Sequence, residues 1–155
     1  ARIRISGLSV RPSRVLVDHK LDIAVLQLDG ETVELLELRP LHPGKAMVNQ
    51  EAKLWGFPGI PGAVINGVPA ANAPSASQTS QRCDITDVRR GEVICTALNG
   101  IETRGGFSGG PLIDAQGAVL GMISRSTPET TRCRSIEAID GVIARFAKES
   151  RPYSE

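Results

Sequence analysis

Short apolar runs, each ended within a few residues by Gly or Pro, recur along this sequence. Runs such as Arg14–Val17, Ile23–Leu28 and Ala118–Ser124 combine β-branched residues with near period-two alternation, which is typical of β-strands. The chain has 16 Gly and 10 Pro among 155 residues. That content favours many short strands joined by turns over a bundle of helices. These features predict an all-β fold.

The last part of the chain has a helical period instead. Apolar residues three and four positions apart predict one amphipathic α-helix there, and Pro152 prevents its continuation. These residues are Ile139, Val142, Ile143, Phe146 and Ala147. Ile136–Ala138, immediately ahead of the helix, is predicted to be a last short strand.

Three inner segments are less regular. Glu31–Leu38 is ambiguous between strand and helix by periodicity. Ala63–Val68 is predicted to be a single strand. Pro69–Arg82 is rich in Ala, Ser and Pro and has no period, which predicts a long loop, either a surface loop or a functional or processing loop.

Charge and aromatic content exclude several classes of partner. Lys plus Arg number 18 and Asp plus Glu number 17, so the formal net charge is +1. Nucleic acid and anionic membranes need a concentrated excess of basic charge, and five aromatic residues are too few for a base-stacking platform. No apolar run approaches the length of a membrane span. We therefore expect neither nucleic acid binding nor a membrane span.

The three cysteines, Cys83, Cys95 and Cys133, cannot all pair within one chain. This odd number argues against a disulfide framework, although one bridge is possible. Neither histidine has metal-ligand spacing to a cysteine, so we expect no metal site and no cofactor. Cytoplasmic and periplasmic or secreted locations both stay open.

The most informative segment is Gly105–Pro111, in which four glycines surround Ser108. Glycine before the serine allows backbone N–H groups to converge on one point, as an oxyanion hole requires. Glycine after it leaves room for the backbone of a substrate. The bland alternative is a tight turn without chemistry, but the length of the pattern favours a nucleophile loop.

Two other hydrolase classes fit this serine poorly. The nucleophile elbow of α/β-hydrolases needs a helix after the serine and a histidine downstream of it, but His19 and His42 both precede Ser108. A subtilisin-type order would use Asp22, His42 and Ser108. However, His42 lies in a Pro-flanked turn, and a β-hairpin rather than a helix is predicted after the serine.

The serine segment resembles the nucleophile loop of trypsin-like serine proteases. Leu21–Leu26 is similar to the strand of that family that carries the triad aspartate, especially in the bacterial Deg/HtrA-type branch. Trp55–Gly59 resembles an early turn of the second barrel, and Asp114–Met122 resembles the hairpin after the serine. The resemblance extends over about residues 16 to 147.

This resemblance implies a chymotrypsin-like double β-barrel with a C-terminal α-helix, the second barrel complete and the first truncated. Residues 1–40 would be a remnant of the first barrel with the aspartate strand. Residues 41–138 would form the second barrel with the serine loop, and residues 139–150 the helix.

The family implies a role for each matching residue. Ser108 would be the nucleophile, Asp22 the triad carboxylate, and the backbone N–H groups of Gly106 and Ser108 the oxyanion hole. The bland alternative for Asp22 is a solvated carboxylate at the end of a strand. Phe107 departs from the Asp or Asn that is common next to the serine.

The resemblance also implies where a substrate would bind. Ser124, Arg125 and Ser126 would lie on the strand that pairs with the substrate backbone beside the primary pocket. Glu102 falls where the family has a residue near the base of that pocket and would favour a basic side chain. An ordinary loop carboxylate is the stronger interpretation of Glu102.

The family's catalytic histidine has no counterpart in this sequence. His19 lies only three positions before Asp22 in a polar stretch, and His42 lies in a turn, so both are interpreted as solvated turn residues. We expect the base on a segment absent from this chain, either another part of the polypeptide or a partner chain. The chain alone is then expected to be inert or nearly so.

Three functions remain in competition at this point. The first is a serine endopeptidase that acts on protein or peptide substrates, with its histidine outside these residues. The second is a catalytically inactive, protease-like module that binds a peptide or a partner. The third is a β-barrel scaffold in which the Ser108 segment is only a turn. The intact glycine pattern favours the first, and the absent histidine favours the second.

Overall fold

The computed structural model describes residues 3–5, 8–37, 40–57, 59–60, 64–65, 68–69, 73–74, 78–98, 106–127 and 129–149. Short antiparallel strands dominate them. In chain order the elements are β1 (Ile3–Ile5), β2 (Leu8–Val10), β3 (Arg14–Asp18), β4 (Ile23–Gln27), α1 (Gly30–Leu35), β5 (Glu51–Gly56), β6 (Gly59–Ile60), β7 (Val64–Ile65), β8 (Val68–Pro69), β9 (Ala73–Pro74), β10 (Thr79–Arg89), β11 (Glu92–Ala97), β12 (Pro111–Asp114), β13 (Val119–Ser126), β14 (Thr131–Ser135) and α2 (Ile136–Glu149).

Six of these strands close into an antiparallel barrel in the order β10, β11, β14, β13, β12, β5. Alternate residues point inward, as in β5, where Ala52, Leu54 and Gly56 are buried and the residues between them are more exposed. Closure leaves the barrel without an exposed sheet edge along its paired strands. The buried core consists of Ala52, Leu54, Cys83, Ile85, Val93, Cys95, Phe107, Leu112, Leu120, Ile123 and Cys133.

The chain divides into two compact units. One contains the barrel, His42–Ala138. The other combines Ala1–Leu41 with Ile139–Glu155. In this second unit β1 pairs with β2 and β3 pairs with β4, each in an antiparallel hairpin. The Arg14 guanidinium lies 4.1 Å from the centroid of the Phe146 ring and so joins the β3–β4 hairpin to α2.

The prediction of a mostly-β fold with a C-terminal helix is confirmed, but the predicted start of that helix is wrong. Ile136–Ala138 is the first turn of α2 and not a strand. The Ala138 N–H donates to the Ser135 Oγ at 3.2 Å, so Ser135 caps the helix. β14 therefore leads directly into α2. The sequence predicts a strand at this junction because Ile136 is β-branched, which favours extended backbone.

Two further predictions need correction, and one ambiguity is resolved. The predicted strand Ala63–Val68 is two short strands, because Val64–Ile65 pairs with Val68–Pro69. The predicted loop that ends at Arg82 contains the start of β10, where Thr79 already pairs with Gly56. The segment after Asp29 is helix α1, whose Thr32 N–H donates to the Asp29 carboxylate at 2.7 Å.

The possible disulfide does not form. Cys83, Cys95 and Cys133 are free thiols buried in the barrel core. A hydrogen bond with Cys95 and burial raise the pKa of the Cys83 thiol. A hydrogen bond with Cys133 and burial likewise raise the pKa of Cys95.

Of the helices in the described ranges, neither is long and apolar enough to cross a membrane.

Candidate active site

Ser108 lies in a tight turn between Phe107 and Gly110. The Gly110 N–H donates to the Phe107 carbonyl at 2.9 Å, which closes the turn with Ser108 and Gly109 at its centre. Gly109 has a φ of +83°, in the left-handed region that favours glycine. Ser108 is exposed at the turn. The glycine after the serine is therefore a requirement of the backbone.

The serine turn is fixed to its surroundings by three further backbone hydrogen bonds. The Gly109 N–H donates to the Ile123 carbonyl at 2.7 Å, and the Ile123 N–H donates to the Gly110 carbonyl at 2.8 Å. On the other side, the Phe57 N–H donates to the Gly106 carbonyl at 3.0 Å. The turn is thus held between β13 and the residue that follows β5.

The serine turn packs closely against the end of β5. Phe107 is only 4% exposed and belongs to the barrel core. A Cβ on Gly56 would lie 2.6 Å from the Phe107 Cα, and a Cβ on Gly110 would overlap the carbonyl oxygen of Trp55. Glycine is therefore needed at both positions for the turn to approach the strand.

The direction of one peptide group bears on the chemistry. The carbonyl of Phe107 points toward the Gly110 N–H, inside the turn. In a planar trans peptide the C=O and N–H groups point in opposite directions, so the Ser108 N–H points away from the interior of the turn. No residue in the described ranges accepts a hydrogen bond from that N–H or pairs with the Ser108 hydroxyl.

A cavity of about 370 Å³ lies beside the serine turn. Its described walls combine the turn, the end of β5 with the residue after it, and the residue that precedes β10. They are Trp55, Gly56, Phe57, Gln78, Gly106, Ser108, Gly109, Gly110 and Pro111. The sequence motifs contained most of these residues, but nothing in the sequence connected Gln78 with Ser108. The pairing of β10 with β5 brings them to one wall.

Asp22 lies in the turn between β3 and β4 and is exposed. Its φ of +56° is left-handed, a conformation that Asp adopts more readily than most residues. The neighbouring Leu21 N–H donates to the Asp18 carboxylate at 2.9 Å, and Asp18 also pairs with Arg145 of α2. Those two bonds hold the pKa of Asp18 below its usual value, with Arg145 the larger cause. The turn that carries Asp22 is thus tied to the helix.

Neither histidine is among the described residues that line the cavity beside Ser108. His19 is exposed in the β3–β4 turn, in a different unit from Ser108. His42 is in the barrel unit, where its carbonyl accepts a hydrogen bond from the Val119 N–H at 2.8 Å. Val119 precedes Ile123 by four residues, roughly 13 Å along a strand, and the described walls of the cavity do not include His42. Strand β12 begins at Pro111, three residues after the serine. The α/β-hydrolase and subtilisin arrangements, in which a helix follows the serine, therefore do not fit.

The predicted substrate strand is β13. Arg125 and Ser126 pair in register with β14, whereas the pairing of β13 with β12 reaches only to Met122. The register shifts at Ser124, between Ile123 and Arg125. β13 therefore continues past the serine turn with one side paired to β14. Glu102, predicted near the base of the primary pocket, lies outside the described residues.

A comparison with known families gives one match. The family model described as "Trypsin-like peptidase domain" matches residues 3–122. No curated protein sequence matches this chain.

Comparison with solved structures gives similar folds at low sequence identity. The active form of the Rv3671c protease from M. tuberculosis has a TM-score of 0.65 and 20% identity, over 92% of this chain and 61% of that chain. Mouse neuropsin, a serine protease, has a TM-score of 0.64 and 17% identity, over 90% and 72%. A mutant of human heparin binding protein has a TM-score of 0.67 and 14% identity, over 96% and 72%. These similarities confirm the predicted chymotrypsin-like fold, and the chain spans 61% of the length of the first of these structures.

Proposed function

This chain belongs to the trypsin-like peptidase domain family, and on that premise we propose that it carries the nucleophile of a serine endopeptidase. The observation that carries the proposal is the serine turn. Four backbone hydrogen bonds and the close packing at Gly56 and Gly110 hold an exposed Ser108 at the edge of a cavity. A turn with no chemical role would not require such fixation around a solvent-facing hydroxyl.

In the proposed reaction the Ser108 Oγ attacks the carbonyl carbon of a peptide bond while a histidine takes its proton. The C–N bond then breaks, the amine leaves with that proton, and water hydrolyses the acyl-enzyme and releases the acid. The negative charge that develops on the carbonyl oxygen is stabilised by the N–H groups of Gly106 and Ser108. The outward direction of the Ser108 N–H supports this role. Because the turn is fixed in advance, little reorganisation is needed when the charge develops.

Asp22 is proposed to orient the imidazole that acts as general base. A carboxylate that accepts the Nδ1–H of a histidine fixes the tautomer that can take the serine proton. The Asp18 and Arg145 side chains would hold this turn in position.

The imidazole itself is proposed to come from outside these 155 residues. Neither His19 nor His42, the two histidines of the sequence, is among the described residues that line the cavity beside Ser108. Without a base, Ser108 stays a protonated alcohol at neutral pH, and loss of the histidine of another serine protease lowered turnover by about 10⁶. A further segment of the polypeptide or a partner chain would supply it.

Substrate is proposed to bind along β13 by strand addition. Arg125 and Ser126 lie beyond the reach of β12, and Ser124 lies at the irregularity where pairing with β12 has ended. An extended peptide can use main-chain hydrogen bonds along such a strand while side-chain pockets give specificity.

The proposal is tested by proteolysis with the full-length gene product that contains this chain. We expect it to digest unfolded casein, and Ser108→Ala to lower the rate by at least about 1,000-fold. Ser80→Ala, a matched change on the exposed side of β10, should leave the rate unchanged. Undiminished proteolysis by Ser108→Ala contradicts the proposal.

A second candidate is a protease-like module that binds peptides without cleaving them. The absence of both histidines from the described walls of the cavity beside Ser108 favours it. Such a module would bind a peptide along β13 with equal affinity in the presence or absence of the Ser108 hydroxyl. Peptide binding by the full-length gene product without any product after long incubation would select this function.

A further inference from the structure

We propose that Asp18 is a positioning residue: its carboxylate, held by Arg145 of α2, keeps Asp22 in the conformation from which Asp22 orients the catalytic imidazole. This inference rests on the proposed function, in which Asp22 is the carboxylate beside the histidine. It goes beyond that function because it makes the reaction rate depend on a side chain outside the catalytic residues and on the C-terminal helix. Three observations carry it: the bonds of Asp18 to both neighbours of Asp22, the left-handed backbone of Asp22, and the attachment of the Asp18 carboxylate to α2.

The side chain of Asp18 holds the residue before Asp22. The Leu21 N–H donates to the Asp18 Oδ1 at 2.9 Å. Because Leu21 directly precedes Asp22, this bond fixes the peptide group next to the one that joins Leu21 to Asp22. Loss of the bond would free the chain on the N-terminal side of Asp22.

The backbone of Asp18 holds the residue after Asp22. Asp18 pairs in register with Ile23, the first residue of β4. Ile23 is only 3% exposed, so its side chain is packed as well. Asp22 therefore lies between one neighbour that is bonded to the Asp18 side chain and another that is paired with the Asp18 backbone.

The backbone of Asp22 itself needs such support. Its φ of +56° is left-handed, and for a residue other than glycine this conformation is less favourable than an extended or right-handed one. Its neighbours must therefore maintain it. If Leu21 is released, Asp22 can return to a commoner backbone conformation, and its carboxylate then points in another direction.

Arg145 sets the direction of the Asp18 carboxylate. The Arg145 guanidinium donates to Oδ2, which leaves Oδ1 for the Leu21 N–H. The Asp18 side chain is only 10% exposed, and the Arg145 hydrogen bond, followed by the Leu21 bond, holds its pKa below the usual value. The carboxylate is therefore ionised at neutral pH, and hydrogen bonds between charged groups are stronger than neutral ones. Without Arg145 the carboxylate can rotate away from Leu21.

A second contact joins α2 to β3, so that Arg145 is itself fixed. Arg14 lies four positions before Asp18 on the same face of β3. Its guanidinium lies 4.1 Å from the centroid of the Phe146 ring and donates to the Phe146 carbonyl at 3.3 Å. Since Phe146 is next to Arg145, these contacts limit how far Arg145 can move from Asp18.

The expected loss is in kcat rather than in KM. A displacement of about 1 Å in a catalytic group can lower a rate about 100-fold. Asp22 acts on the imidazole and not on the substrate, which is proposed to lie along β13. An interaction made only during the chemical step lowers kcat when it is lost and leaves KM nearly unchanged.

The test measures kcat and KM of the full-length gene product with quenched fluorescent casein, and active sites are counted by exhaustive fluorophosphonate labelling of Ser108. Per labelled site, Asp18→Ala should lower kcat at least about tenfold, with KM within about twofold. Asp18→Asn should lose less, about threefold, because its amide oxygen still accepts from the Leu21 N–H. An unchanged kcat per labelled site in Asp18→Ala overturns the proposal even if fewer sites are labelled, because a merely structural role has that result.

Asp29→Ala is the matched control for Asp18→Ala. The Asp29 carboxylate also accepts a backbone N–H, that of Thr32 at 2.7 Å, in the same compact unit. It caps α1 rather than the turn before Asp22. Its loss should leave kcat per site unchanged, and a loss equal to that of Asp18→Ala would overturn the specific role of Asp18.

A double-mutant cycle tests whether Arg145 acts through Asp18. Arg145→Gln should lower kcat about threefold, and the double variant with Asp18→Asn should be no slower than the slower single variant. Losses that multiply overturn the action of Arg145 through Asp18. Lys148→Gln, at the exposed end of the same helix, is the control and should leave kcat unchanged.

If Asp18→Ala does not fold, amide chemical shifts of the 155-residue chain decide the matter. Arg145→Gln should shift the resonances of Leu21 and Asp22 and leave that of Thr32 in place. Unchanged resonances of Leu21 and Asp22 overturn the proposal.

The proposed function and this inference fail in different ways. Proteolysis that persists in Ser108→Ala overturns the proposed function, and the inference with it. Proteolysis that requires Ser108 but has the same kcat per labelled site in Asp18→Ala overturns the inference alone.

Discussion

The guanidinium of Arg145 in α2 pairs with the carboxylate of Asp18 at the end of β3, although 127 positions separate them in the sequence. The same carboxylate accepts a hydrogen bond from the Leu21 N–H at 2.9 Å. One acidic side chain thus joins the C-terminal helix to the turn that carries Asp22. The turn is held by long-range structure as well as by its own residues.

The first prediction concerns the pH dependence of this link. Arg145 and the Leu21 N–H lower the pKa of Asp18, so the folded chain favours the carboxylate. The resulting stability is present above the ordinary Asp pKa of about 3.9 and is lost as pH falls through the lower folded value. The difference in unfolding free energy between the unmodified chain and Asp18→Asn should therefore be constant above pH 5 and shrink below about pH 4.

Urea denaturation between pH 2.5 and 7 measures this difference. Glu149→Gln, a like change at the exposed end of α2, is the control and should show no such decline. A difference that grows on acidification would contradict the role of Asp18.

The second prediction concerns Phe107, which replaces the usual polar neighbour of the serine with a core residue. Phe107→Ala should lower the unfolding free energy by about 3–5 kcal/mol, because it empties a buried aromatic site. Phe107→Leu should recover most of the loss. Urea denaturation monitored by circular dichroism checks both variants, and a loss below about 1 kcal/mol for Phe107→Ala would show that the turn does not depend on this packing.

The third prediction compares one substitution at two glycines. Gly110→Ala should destabilise the chain by about 1–3 kcal/mol, since the new methyl group would overlap the Trp55 carbonyl. Gly141→Ala in α2 should stabilise it by about 0.5–1 kcal/mol, because Gly141 faces open space and alanine favours the helix. Melting temperatures should therefore move in opposite directions, and a fall for both variants would contradict the packing described for Gly141.

The fourth prediction concerns the three buried thiols. A hydrogen bond with Cys95 together with burial raises the pKa of Cys83, and a hydrogen bond with Cys133 together with burial raises the pKa of Cys95, so the reactive thiolate is scarce at neutral pH. Ellman's reagent at pH 8 should modify no thiol rapidly in the folded chain and three after unfolding in urea. Rapid modification of one thiol in the folded chain would show that the barrel core opens to solvent.

The serine loop and the hairpin after it can be predicted from the sequence, because residues within each turn determine its conformation. Gly109 must adopt a left-handed backbone, and the hairpin after the loop contains Asp114, whose carboxylate accepts from the Gln116 N–H at 2.9 Å and the Ala118 N–H at 2.8 Å. Gly and Asp favour turns through their own backbone freedom and side-chain hydrogen bonds, so their positions in the sequence predict where the turns lie. The prediction of the loop and its hairpin therefore needed no long-range information.

Other elements depend on partners that are distant in sequence. β14 was missed because Thr131–Ser135 contains two arginines and no large apolar residue, and only pairing with β11 and β13 makes it a strand. The sequence predicts a loop at the start of β10, because the residues that alternate there, such as Ser80 and Gln81, are polar. The pairing of β10 with β5 brings Gln78 to the wall of the cavity. That part of the candidate site therefore has no signal in the sequence.

The most direct test of the central claim is the rate at which a fluorophosphonate probe labels Ser108, read by peptide mass spectrometry. The account predicts labelling of Ser108 in the full-length gene product, at least about 1,000-fold slower labelling of the 155-residue chain, and none of Ser108→Ala. Comparable labelling of the isolated chain would contradict the proposal that its base lies elsewhere. Absence of Ser108 labelling in the full-length gene product would contradict its role as the nucleophile.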